Sequence, residues 1–230
     1  MKNLIKATFV LLITLFAIST NGQTIRNVDS FNQLSASSSV KIKLIKSNEQ
    51  KIEFKMTKGD ESNLITEVKN GKLIVKIKSK MFSSNNNTKA AVKVYYTELN
   101  DVEASAGASI KAEEPINANE IDLEVSSGAV MDVEVKAQRV EAEASSGGRL
   151  LIEGSATNGE YEASSGANID ATLLICDNVN AEASSGGKMK VHANKKLNAD
   201  ASSGGSIRYK GDVDNVASDA GWSGKVKRIN

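Results

Sequence analysis

The heptapeptide AEASSGG, residues 142–148, returns unchanged at 181–187, and close variants of it recur between Val102 and Gly205. Setting the shared glycine in register, at Gly107, Gly128, Gly147, Gly166, Gly186 and Gly204, gives spacings of 21, 19, 19, 20 and 18 residues. A period near 20 belongs to solenoids. Three residues before each Gly stand Ala104, Val125, Ala144, Ala163, Ala183 and Ala201, and five before stand Val102, Leu123, Ala142, Tyr161, Ala181 and Ala199. Three after come Ile110, Met131, Leu150, Ile169, Met189 and Ile207; five after come Ala112, Val133, Ile152, Ala171, Val191 and Tyr209. All are apolar or aromatic.

Period-two alternation on both sides of a fixed Gly describes two short strands joined by a corner and excludes helix. A unit of this length cannot bury its apolar edge alone, so successive units must stack, each strand parallel to its copy in the next. The expectation is an all-β fold: a right-handed parallel β-helix of short rungs, with small Ala columns facing bulkier Ile, Leu and Met. At each corner the Gly is expected to supply a positive φ where a side chain would clash. Ser105, Ser126, Ser145, Ser164, Ser184 and Ser202 precede it by two, a ladder whose hydroxyls are expected to satisfy one another and nearby backbone.

The fourth residue before each Gly is acidic: Glu103, Glu124, Glu143, Glu162, Glu182 and Asp200. Two residues earlier, Asp101, Asp122, Glu141 and Glu160 add a partial second column. Stacked strands lie ~4.8 Å apart, so neighbouring charges repel by roughly 0.9 kcal/mol in water before screening. A solvated face relieved by salt is the plain expectation; weak binding of Ca²⁺ by facing carboxylates is the sharper one, without a calcium-loop motif to support it. The acidic and serine columns are the candidate binding residues.

Catalysis finds little footing. The chain has one histidine, His192, beside inward Val191 and so expected to point outward, and no serine has a nucleophile-elbow context. The clustered Cys and His of a zinc site are missing, so no metal site is assigned. Cys176, the sole cysteine, excludes an intrachain disulfide and is expected to be a small buried hydrophobe.

Outside the repeat, residues 1–22 have Lys2 and Lys6 ahead of an apolar run from Ala7 to Ile18, the pattern of a cleaved secretory signal. No transmembrane segment is expected in the mature chain, which is placed in the periplasm, on the outer-membrane surface or outside the cell. Residues 23–98 hold five strand-like runs, 40–46, 51–56, 64–69, 72–78 and 91–96, with Asn70-Gly71 as a tight-turn signal and 80–89 as a polar loop. They are expected to cap or continue the solenoid of 99–230, with Trp222 closing its far end. Lys and Arg number 14 against 7 acids over 23–98, and 13 against 21 over 99–230. The lysines alternate with apolar residues, which makes them solvated strand faces rather than a nucleic-acid surface. The split also raises self-association, the basic part of one chain meeting the acidic solenoid of another.

The opening IRNVDSFNQLSASSSVKIKLIKSNEQKIEF, the VKNGKLIVKI hairpin and the serial EASSGG units together resemble the putative auto-transporter adhesin family with a head GIN domain, over essentially the whole mature chain. The resemblance implies a β-helical fold and a secreted or envelope location in a Gram-negative bacterium, and supplies no catalytic residue. No translocating β-barrel is expected within residues 1–230, unlike a complete auto-transporter. The expected function is a non-enzymatic binding scaffold whose repeated faces engage a glycan or protein partner. The alternative is a polysaccharide lyase or hydrolase on a β-helix, against which stands the lack of unrepeated carboxylates and sugar-stacking aromatics on long insertions.

Overall fold

The computed structural model describes residues 19–20, 23–78 and 88–229. The expected signal segment lies outside them except for Ser19–Thr20, and so does most of the polar loop at 80–89. The strands are β1 (Ser19–Thr20), β2 (Gln23–Asn27), β3 (Gln33–Ser37), β4 (Val40–Lys46), β5 (Lys51–Lys58), β6 (Leu64–Lys69), β7 (Lys72–Ile77) and β8 (Lys89–Tyr96). They continue with β9 (Asp101–Ser105), β10 (Ser109–Ala112), β11 (Ile116–Asn117), β12 (Glu120–Val125), β13 (Val130–Ala144), β14 (Arg149–Ala163) and β15 (Asn168–Ala183). The last four are β16 (Lys188–Ala201), β17 (Ser206–Lys210), β18 (Asn215–Ala220) and β19 (Lys225–Arg228).

From β9 onward the parallel stack follows the repeat residue for residue. Glu103 pairs with Glu124, Glu124 with Glu143, Glu143 with Glu162, Glu162 with Glu182 and Glu182 with Asp200. The result is a β-solenoid of about seven turns. Each rung has a leading strand before the serine-glycine corner and a trailing strand after it. In β13, Met131, Val133 and Val135 are buried, then Val140, Ala142 and Ala144; that change of phase marks the second corner. The residues predicted to face inward do so, only Ala112 and Tyr209 among them being half-buried.

The first strands join the same stack, out of chain order. β3 lies between β7 and β9, and β4 between β8 and β10, all parallel. Residues 33–46 are therefore a rung inserted between one built from β7 and β8 and one built from β9 and β10. The core columns run through without a break: Leu73, Leu34, Val102 and Leu123 on one side, Val92, Ile42, Ile110 and Met131 on the other. β5 and β6 then run antiparallel along β8 and β7, with β2 outside β5, so this end of the stack is covered. The β6–β7 hairpin turns at Asn70 and Gly71, with φ of 51° and 77°, the two positive values that a type I′ turn requires.

At the corners the glycines have φ between 71° and 80°, as expected, and the residue before each is left-handed too: Ser146 has φ 48° and Gly147 73°. Gly148 N–H donates to the Ser145 carbonyl at 2.8 Å, closing a type I′ turn. Two expectations need correction here. A side chain at Gly147 would meet nothing within 4 Å, so glycine is favoured there by φ alone. The crowded position is the next one, where a Cβ on Gly148 would run into the Val125 carbonyl of the preceding rung. The six serines are half-buried, and successive corners are joined through backbone, such as Ser145 N–H to the Val125 carbonyl at 3.0 Å and Gly147 N–H to the Ser165 carbonyl at 3.2 Å, rather than through a ladder of hydroxyls. Trp222 is 92% exposed and does not close the far end.

Tyr161 is the one large residue in a column otherwise small on either side of it. It is buried because Gly159 stands where the adjacent rungs carry Val140 and Val179, and a Cβ on Gly159 would strike the Tyr161 ring. The phenol oxygen lies 3.1 Å from Cys176 Sγ. Burial pushes both groups' pKa upward, so Cys176 is the inert buried hydrophobe its sequence context predicts. His192 is half-buried rather than freely solvated, and its Nδ1 is enclosed without a hydrogen-bond partner.

Candidate functional site

The leading strands alternate inward Ala, Val or Leu with outward acids, so stacking in register turns the sequence pattern into a line of carboxylates along one face. The line is longer than the repeat showed: Asp200 pairs with Asp219 of β18, a seventh member. Its corner was disguised because Ser223, with φ 58°, takes the place of the glycine. The second column runs Asp101, Asp122, Glu141, Glu160 and then changes to Asn180 and Asn198. These asparagines are linked by a side-chain hydrogen bond of 2.8 Å, and Asn178 donates to Asn158 at 3.0 Å beside them.

Compensation is uneven along the face. Lys72 reaches across β3 to Asp101, at 3.0 Å, and to Glu103. Arg139 holds Glu160 at 2.6 Å and Glu141 at 3.7 Å. Among the described residues no ion pair reaches Glu124, Glu143, Glu162, Glu182, Asp200 or Asp219. The cost is visible at Glu143, whose carboxyl is pushed above its ordinary pKa by desolvation and then by the charges of Glu162, Glu124, Glu141 and Asp122. Asp101 is also raised, by burial first, with Lys72 opposing and Glu103 and Asp122 reinforcing.

The uncompensated stretch lines an open groove of about 620 Å³ bounded by Glu143, Glu162, Glu182, Asp200 and Asp219, with Glu141, Glu160, Asn180 and Asn198 along one wall. A smaller hollow of about 210 Å³ continues the acidic face among Asp101, Glu103, Asp122, Glu124 and Glu143. No group of three or more His, Cys, Asp or Glu among the described residues is placed to hold a metal ion; the carboxylates form columns, not a cage. The Ser105, Ser126, Ser145, Ser164, Ser184 and Ser202 column runs alongside at the corner. Such a face offers fixed negative charge and amide hydrogen-bonding groups at the strand pitch of ~4.8 Å. Tyr161, the aromatic residue among those lining the groove, is buried beneath it.

No helix among the described residues is long and apolar enough to cross a membrane. Among solved structures, the chain is similar to a protein from Bacteroides fragilis described as a putative adhesin, with a TM-score of 0.79 and 22% identity, covering 90% of this chain and 96% of that one. Similar proteins, also described as putative adhesins, come from Parabacteroides distasonis (TM-score 0.70, 21% identity, 90% and 96% covered) and Parabacteroides merdae (TM-score 0.70, 21% identity, 90% and 95% covered). At these identities the likeness establishes the fold. Comparison with curated proteins gives no match. The family model described as "putative auto-transporter adhesin, head GIN domain" matches residues 30–212, which takes in both the spliced N-terminal rungs and the repeat, and the chain belongs to that family.

Proposed function

We propose that this protein is an exported, non-enzymatic adhesin-type scaffold whose acidic groove binds an extended, repeating, cationic partner: an amino-sugar glycan or a lysine-rich protein segment. The observation that carries this reading is the run of six in-register carboxylates, Glu124 to Asp219, with no ion-pair partner among the described residues. A stack held by backbone and core does not need that row, and each added charge works against it. A partner with one cation per rung relieves all of them together, and many weak contacts at a fixed pitch sum to useful avidity. The burial of Tyr161, the aromatic residue lining the groove, argues against stacking on neutral sugars there. The family and its adhesin-named structural neighbours support the binding role.

The corner serines border the groove and are proposed as its hydrogen-bonding rim. The lyase or hydrolase alternative lacks support in the groove, whose carboxylates repeat rather than converge on one reacting bond. Two measurements test the proposal. Protease treatment of intact cells is expected to remove the chain while sparing a periplasmic control; full protection contradicts surface display. Immobilised glucosamine oligomers are expected to retain the wild-type chain and to lose about tenfold or more in affinity with Glu143→Gln/Glu162→Gln/Glu182→Gln; equal binding by that variant contradicts the groove as the site.

A further inference from the structure

The two ends of the stack are built differently. At the N-terminal end the outermost parallel rung is covered by antiparallel β5 and β6. At the other end β18 pairs only with β16, and β19 only with β17. One whole edge of each therefore presents amide and carbonyl groups without a strand partner among the described residues, which is a template for further pairing. All six residues of β18 are exposed. Val216, in register with buried Leu197, is 44% exposed, and Trp222 at the corner is 92% exposed. The apolar interior is thus left open beside a large aromatic ring.

We propose that this end docks a second copy of the chain, tail to tail, about a twofold axis through the 221–224 corner and perpendicular to the stacking direction. The geometry follows from the corner alone. β18 runs into it and β19 runs out of it, so a twofold axis bisecting them lays β18 of each copy antiparallel along β19 of the other, whatever angle the corner makes. Antiparallel strands form a complete ladder, and the operation satisfies both open edges twice over in one closed, isologous interface.

Charge and phase agree with this pairing. The charged residue on the outward phase of β18 is Asp219, in register with outward Asp200; the outward residues of β19 are Lys225 and Lys227, in register with Ser206 and Arg208. Setting Asp219 opposite Lys227 of the second copy also sets Ala220 opposite Val226, both on the inward phase, so the core continues across the junction. The alternative twofold arrangement, β18 against β18, would carry the two β19 strands to opposite ends of the pair and leave their edges open. The favoured axis brings both Trp222 rings together beside it, covering the most exposed large apolar side chain of the described residues. It also sets the two acidic grooves on opposite faces of the dimer, each open to its own partner.

Sedimentation of the purified full chain over a range of concentrations tests this, with circular dichroism confirming that each variant is folded. The wild type is expected to dimerise, more weakly at high salt. Lys225→Glu/Lys227→Glu is expected to weaken the dimer by about tenfold or more, and adding Asp219→Lys to that variant is expected to restore it. Trp222→Cys is expected to cross-link two chains under mild oxidation, Cys176 being buried and out of reach. A monomer at every concentration overturns the proposal, as does a dimer indifferent to the charge reversals that Trp222→Cys fails to trap.

Discussion

Gly147 and Gly148 are neighbours with opposite reasons for being glycine, and substitution separates them. Gly147→Ala places a Cβ in open space at φ 73°, so only the left-handed backbone penalty applies, about 1 kcal/mol. Gly148→Ala must displace the Val125 carbonyl and is expected to cost more, about 2 kcal/mol, as read from urea unfolding; equal costs would contradict this account of the corner. The positive φ is legible in the sequence, but the clash falls one residue later than the repeat suggests, because crowding at this turn comes from a rung about 20 residues away and no local pattern reports it. Glu143 sets a pH dependence at the same scale. Its folded-state pKa is raised, as is that of Asp101, so the stability linked to these protons is present below the ordinary carboxylate range and is lost as pH rises through the raised values. Asp170 behaves oppositely: burial pushes it up, but hydrogen bonds from Lys190 and Thr172 outweigh this and hold it low, so its contribution is lost only in stronger acid. Tm is therefore expected to rise as pH falls from neutrality towards the ordinary carboxylate range, and Glu143→Gln to flatten that rise; an unchanged slope would contradict the strain assigned to the ladder.

Within the rungs, volume is conserved by trading between positions, and Tyr161 with Gly159 is the clearest exchange. Tyr161→Ala is expected to cost about 3–5 kcal/mol through the cavity it leaves, and Gly159→Val to be destabilising by steric conflict with the ring. Together they recreate the Val-x-Ala pattern of the adjacent rungs, Val140/Ala142 and Val179/Ala181, and are expected to recover most of the loss in denaturant unfolding; additive losses would contradict the exchange. The strands themselves were legible, because alternation, turn dipeptides and a repeated corner all act locally. The order of the first rungs was less so. Ala36-Ser37-Ser38-Ser39-Val40 is a corner with Ser39 in the glycine place, flanked by inward Leu34, Ala36, Ile42 and Leu44, so the template was present without its most visible letter. What no local pattern carries is that β7 and β8 return to the outer side of this rung while β9 and β10 take the inner side, a choice made by long-range pairing.

Over the described residues, one continuous backbone stack carries columns of different character, and function is assigned to the column that the stack does not need. Lys72 and Arg139 neutralise the acidic face near its beginning and middle; beyond them the carboxylates run unpaired to Asp219. The acidic column was legible in the sequence because the repeat fixed its phase. The groove, the compensating Lys72 two rungs away and the amide wall were not, since each depends on which rung lies beside which. If the column is a recognition surface, binding must follow its repetition rather than any single residue. The most direct measurement is the affinity of the wild-type chain for glucosamine oligomers of increasing length, with Glu143→Gln/Glu162→Gln/Glu182→Gln in parallel. Affinity is predicted to climb steeply with length until the oligomer spans the unpaired rungs, roughly 24 Å at the strand pitch, then to level off, with the climb lost in the variant. Affinity independent of length, or a climb that survives the three substitutions, would contradict the assignment of the groove as the binding surface.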